Sequence, residues 1–150
     1  MKNKIKYPDL NKCVVAIIGL GYVGLPLAIE FAKKQKCHIS GKDINRQVIG
    51  FDINSERIEQ LKKGNDITNE INKKELLDAN LKSLTNQIKK IAQADIFIVT
   101  VPTPINEFNE PDLEPLKKAT STVAKALKIR SERLNKCIPI VIYESTVYPG

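Results

Sequence analysis

The chain has 150 residues and a net charge of +7, from 24 lysines and arginines against 17 aspartates and glutamates. That length suits one domain with a proper core, no apolar run is long enough to span a membrane, and the polar start Met1–Leu10 lacks the apolar segment of a secretory leader. Only four basic residues are arginine (Arg46, Arg57, Arg130, Arg133), so the charge reads as a lysine-rich solvated surface and not as a nucleic-acid interface.

Residues 1–12 read as a loose arm, and the folded domain is expected over 13–150. Val14–Ile18 is a short β-branched and apolar run, the pattern of a strand buried on both faces. It leads into Gly19, Gly21 and Gly24 in G-x-G-x-x-G spacing. In a dinucleotide-binding turn the first glycine permits the tight turn. The second lets backbone approach a pyrophosphate, and the third lets the next helix pack on the strand. The N–H groups and positive dipole end of that helix then face the phosphates. The helix is expected over 22–34, with Val23, Leu27 and Phe31 as its stripe. Pro26 falls near its first turn, where a missing N–H costs nothing.

Residues 36–47 read as an inserted loop or hairpin. Val48–Asp52 is the second strand, and Asn54 or Ser55 caps a helix that Gly64 ends. An acid at the end of this strand binds the adenosine ribose in such units, about 20 residues past the glycines. Asp43 lies 19 residues after Gly24 and Asp52 lies 28 after it. Spacing favours Asp43; the strand before Asp52 and the helix after it favour Asp52. Either carboxylate selects NAD over NADP, whose 2′-phosphate it repels. Arg57 is either a phosphate contact or an exposed helix charge.

A loop and short helix fill 65–80, Leu81–Thr85 is a third strand, and 86–93 is a connecting helix. Asp95–Val101 is a second strongly buried strand, stopped by Pro102-Thr103-Pro104-Ile105. That rigid loop stands at a carboxyl strand end, where open α/β sheets bind ligands. A polar loop over 106–111 precedes a helix capped by Asp112, with Leu113, Leu116, Thr120, Val123 and Leu127 as its apolar positions. Pro139–Tyr143 is a last strand before Glu144-Ser-Thr-Val-Tyr-Pro-Gly150. Alternating strands and helices imply an α/β fold of Rossmann type, a doubly wound parallel sheet in a single domain. Cys13, Cys37 and Cys137 are far apart and the only histidine is His38, so no metal site is expected. The thiols read as reduced in a cytoplasmic protein, with Cys13 and Cys137 as core or flanking residues.

Four stretches together resemble the NAD-binding domain of the UDP-glucose/GDP-mannose dehydrogenase family: Gly19–Ala28, Val48–Asn54 with Arg57, Ala94–Ile105 and Glu144–Gly150. The Ser-Thr-Val-Tyr-Pro-Gly ending looks most like the branch acting on UDP-N-acetylhexosamines for capsule and O-antigen synthesis. The resemblance implies a nucleotide-sugar 6-dehydrogenase that oxidises a C6 alcohol to a carboxylate with two NAD. By position, it implies that Gly19, Gly21, Tyr22, Val23 and Gly24 cradle the pyrophosphate. Asp52, not Asp43, then binds the ribose with Arg57 beside it, and Val101, Thr103 and Pro104 line the cofactor cleft. Thr146 lies near the nicotinamide as the one candidate catalytic group, orienting a water.

The family's catalytic cysteine, lysine and asparagine, and its sugar-binding domain, are expected past Gly150. The chain is therefore expected to be a truncated product or an excised cofactor domain, inactive alone. Homo-oligomers are expected of the full-length family. A hydroxyacid dehydrogenase domain is the alternative, though it usually carries methionine at the Val23 position. A non-catalytic nucleotide-binding module is another.

Overall fold

The computed structural model describes residues 6–105, 111–133 and 137–145. Five parallel strands form one sheet in the order β5-β4-β1-β6-β7. They are β1 (Val14–Ile18), β4 (Gln47–Phe51), β5 (Leu81–Thr85), β6 (Ile96–Val99) and β7 (Ile140–Tyr143). β1 sits at the centre, paired with β4 from Val14↔Gln47 and with β6 from Val15↔Ile96.

The apolar run of β1 lacks alternation because both its faces are covered. Val15 and Ile17 point to one side, where they meet α1 (Gly24–Ala32) and α2 (Ser55–Lys62) through Leu25, Ala28, Ile58 and Leu61. Ala16 and Ile18 point to the other, against α4 (Ile88–Ile91) and α5 (Glu114–Arg133) through Ile91, Ala119, Val123 and Ala126. The sheet is doubly wound, as the alternating pattern implies. Among the described residues no helix is long and apolar enough to cross a membrane.

The insertion is a hairpin: β2 (Gln35–Lys36) pairs antiparallel with β3 (Asp43–Ile44). Its tip is solvated, with Ile39 almost fully exposed, and Arg46 lies 4.8 Å over the Phe31 ring at its base. Asp43 sits in this hairpin, so it does not end a strand of the main sheet. Asn54 caps α2 by accepting from the Glu56 and Arg57 amides. Gly64 follows with φ +76°, a left-handed stop for that helix. α3 (Lys73–Asp78) is the short helix expected before β5.

Two expected helix faces differ. The buried face of α1 is Gly24, Leu25, Ala28, Ile29 and Ala32, while Leu27 and Phe31 are half-buried and Val23 is exposed. The stripe Val23, Leu27, Phe31 instead flanks Ile98 and Ile142 in an open groove beside β7. On α5, Thr120 is exposed and Ala119 takes the buried place. The Thr120 hydroxyl lies 2.8 Å from the Leu116 carbonyl and 3.0 Å from Tyr143 Oη.

At the amino end of the sheet, Asp95 ties three elements together. Its Oδ2 accepts from the Val14 amide (3.0 Å), and Arg130 of α5 donates to Oδ1 (2.9 Å). Arg130 is buried there. Cys13 is also buried, and burial pushes its thiol above the ordinary value, which suits a core residue and not a nucleophile.

Candidate functional site

Strand order reverses at β1. From there one crossover runs to β4 on its left and the later chain returns to β6 on its right. Such a reversal opens a crevice at the carboxyl ends of the strands. Here it is a cleft of about 380 Å³, bordered by Gly19 and Gly21, by Asp52, and by Thr100, Val101 and Pro102. Asp112 and the first turns of α5, with Glu114, Lys118 and Thr122, close its far side.

Each glycine has a distinct geometric reason. Gly19 has φ +96°, in the left-handed region that favours glycine. A Cβ on Gly24 would overlap the Gly19 carbonyl oxygen and Thr100 Oγ1, so only glycine lets α1 start this close to β1 and β6. A Cβ on Gly21 would meet nothing within 4 Å. Its bareness serves no packing need and leaves backbone open on the cleft. Val23 stands at the N-cap of α1 and makes no side-chain capping bond, and the helix carries no acid in its first turn. No acid of the helix's own first turn therefore offsets its positive end.

Asp52 sits one residue past β4 and is half-buried. Its Oδ2 accepts from the Leu20 amide (2.8 Å) and its Oδ1 from the Asn54 amide (2.9 Å). A carboxylate has about four lone-pair sites, so capacity remains on the cleft side for a pair of vicinal hydroxyls. Thr100 is a site residue that the sequence reading passes over. It is buried, and its Oγ1 lies within hydrogen-bond reach of the carbonyls of Gly19 (2.8 Å) and Ile18 (3.1 Å). A polar residue closing an otherwise apolar strand was the available signal. Pro102 borders the cleft as part of the rigid loop expected at the strand end, and the α5 residues are further neighbours not foreseen.

Arg57 is not the exposed helix charge that was one reading of it. It is buried and turned away from solvent. Nε (3.0 Å) and Nη2 (2.8 Å) both donate to the Leu20 carbonyl. Nη2 also lies 2.7 Å from Asp66 Oδ1, whose side chain is fully enclosed. Asp66 accepts in turn from Thr68 Oγ1 (2.7 Å) and from the amides of Thr68, Glu70 and Ile71. Burial alone would raise the Asp66 carboxyl. The bonds from Thr68, the Arg57 guanidinium and the Ile71 and Thr68 amides outweigh it and lower the pKa from 3.8 to about 2.

Of the residues expected at the site, the structure brings Gly19, Gly21, Asp52 and Val101 to the cleft wall. Gly24 stands behind it as a packing residue. Tyr22 and Val23 are exposed on the turn beside it. Thr103 and Pro104 are not part of the wall; the Pro104 carbonyl instead accepts from the Asp112 amide (2.6 Å). Thr146, and 106–110 of the polar loop, lie outside the described residues. Ser145 just before Thr146 donates to the Val101 carbonyl (2.9 Å), and the Glu144 amide donates to Val99 (2.8 Å). These bonds hold the start of that segment against the end of β6.

A glycine turn, a helix end and a strand-end carboxylate around the strand-order reversal define a dinucleotide-binding fold. The chain belongs to the UDP-glucose/GDP-mannose dehydrogenase family: residues 13–150 match that family's NAD binding domain. It is 47% identical over 141 residues to the UDP-N-acetyl-D-glucosamine 6-dehydrogenase of Salmonella typhi, covering 94% of this chain and 29% of that protein. Against the enzyme of the same name from Pseudomonas aeruginosa the identity is 48% over 136 residues, covering 91% and 28%. The solved UDP-D-ManNAc dehydrogenase of Pyrococcus horikoshii matches with a TM-score of 0.67 and 35% identity, over 91% of this chain and 29% of that one. The chain thus spans less than a third of the length of these relatives.

Proposed function

We propose that this chain is the cofactor-binding part of a nucleotide-sugar 6-dehydrogenase whose substrate is a UDP-N-acetylhexosamine. The observation that carries the reading is the cleft itself, with bare Gly21 backbone on one side and the Asp52 carboxylate on the other. The identities of 47% and 48% to two UDP-N-acetyl-D-glucosamine 6-dehydrogenases support that substrate class.

The residues present fit NAD. Gly21 offers backbone with no side chain to block a pyrophosphate, and the uncapped start of α1 favours its charge. Asp52 accepts the two ribose hydroxyls and repels a 2′-phosphate. Val101 and Pro102 form an apolar wall. When bound, NAD supplies the hydride acceptor for oxidation of the sugar C6 alcohol, and two rounds carry the alcohol to the carboxylate. Thr146 keeps its proposed role of orienting a water near the nicotinamide. The wider role is synthesis of surface polysaccharide, with the full-length protein a homo-oligomer. Three free cysteines fit a reducing compartment, hence the cytoplasm.

Calorimetry of the purified chain with NAD, and with NADP as control, tests the cofactor half. Binding of NAD alone is expected. Equal binding of NADP would remove the assigned role of Asp52. Mixed with NAD and any UDP-sugar, the chain is expected to produce no NADH; turnover would show that it holds a complete catalytic set.

A further inference from the structure

A buried ion pair is a poor stabiliser, because desolvating both charges consumes most of the attraction gained. The pair Arg57–Asp66 is nonetheless enclosed beside the glycine turn, with Arg57 and Asp66 each 7% exposed. Its contact with the turn is a single atom, the Leu20 carbonyl oxygen, which receives both Nε and Nη2 of Arg57.

That oxygen belongs to the peptide plane joining Leu20 to Gly21. The plane is rigid and trans, so its C=O and N–H point in opposite directions. Holding the Leu20 carbonyl on the guanidinium therefore turns the Gly21 N–H away from it. The preceding plane is held from both ends: Thr100 Oγ1 reaches the Gly19 carbonyl, and Asp52 accepts the Leu20 N–H. Three side chains from β4–α2, α2 and the end of β6 thus fix two successive planes of the turn. Asp66 holds Arg57 through Nη2, the same nitrogen that donates to the Leu20 carbonyl. The loop supplies Thr68 and three amides to keep Asp66 ionised.

We infer that Arg57 and Asp66 are positioning residues for the pyrophosphate: acting through the Leu20 carbonyl, they aim the Gly21 amide before any nucleotide arrives. The inference rests on the cofactor reading above. Preorganised donors spare the cost of ordering the turn on binding.

The decisive variant is the double replacement Arg57→Met with Asp66→Leu, which removes both charges and fills the same space. An apolar pair of similar volume can replace the charges themselves, but the amides that Asp66 accepts lose their partner, so a purely structural pair would lower the urea midpoint and affect NAD and adenosine alike. Arg57→Lys, which keeps the charge but loses the fork, is the milder companion. Amide hydrogen exchange of the segment spanning Gly19–Gly24 is measured on the free chain, alongside titrations with NAD and with adenosine.

In both variants turn exchange is expected to quicken about tenfold. NAD affinity should fall about tenfold, the worth of one hydrogen bond to a charged group, with adenosine affinity unchanged. Unchanged exchange in the turn overturns the inference, and so does a parallel loss of NAD and adenosine. If the unaltered chain binds no NAD, the cofactor reading falls, and the exchange measurement still decides whether the pair aims the turn.

Discussion

Acidification of the chain should withdraw the stability that Asp66 contributes. An aspartate at 3.8 when unfolded and at about 2 when folded is ionised in both states above pH 5, so its contribution there is full and constant. As pH falls through 4, the unfolded state takes up the proton and the folded state refuses it, so stability declines. Below about pH 2 both states are protonated and the contribution is gone. The gap between 3.8 and about 2 corresponds to about 2 kcal/mol. Full enclosure of the side chain leaves little solvent screening to discount.

Urea denaturation of the chain and of Asp66→Asn, at steps from pH 7 to pH 3, measures this directly. At pH 7 the variant should be the less stable by about 2 kcal/mol or more, because Arg57 then stands buried without its counter-charge. Between pH 4 and 3 the difference should shrink as the unaltered chain alone pays the protonation cost. Two parallel curves down to pH 3 would refute the reasoning, since they would mean that Asp66 titrates alike in both states.

The glycines separate packing from binding. Gly24→Ala should cost roughly 1–3 kcal/mol in a urea titration, through overpacking against Gly19 and Thr100, whereas Gly21→Ala should melt with the unaltered chain and lose NAD in calorimetry. Asp52→Ala should weaken NAD strongly while Asp43→Ala, out in the hairpin, should leave it unchanged; equal losses would reinstate the spacing argument for Asp43. Arg130→Met removes one of the partners of Asp95 at the other end of the sheet and should lower the urea midpoint.

The strands were legible because a parallel sheet covered on both faces writes itself as short β-branched runs, and β1, β4 and β6 are such runs. The hairpin was legible by exclusion: Val48–Phe51 had the better claim to the sheet, which left the residues before it outside. Spacing alone would have chosen Asp43, since spacing cannot register an insertion. The stripe of α1 misled because residues four apart fit two adjacent faces of a helix equally well. Only the position of the sheet decides between them. Arg57 could not be read at all from its neighbours. In the first turn of a helix between Glu56 and Glu59 it looks like a solvated charge. Its burial depends on the Asp66 loop folding back over it, a contact that no periodicity announces. Pro102, Thr103 and Pro104 formed one motif in the sequence, yet only Pro102 borders the cleft.

The central strand is also the earliest. β1 finds its left neighbour within about one helix of chain, but its right neighbour lies far away; Val14 and Asp95, joined at the sheet's amino end, are 81 residues apart. At about 5–20 residues per second a ribosome needs roughly 4–16 s to deliver that second neighbour. For that interval Val15, Ile17 and the rest of β1 are an apolar strand with one edge unpaired, the kind of segment that invites association with other chains. The nucleotide can offer no help in that window. The reversal of strand order that makes the cleft comes into being only when β6 docks, so a ligand of this cleft stabilises the finished sheet and not the growing one.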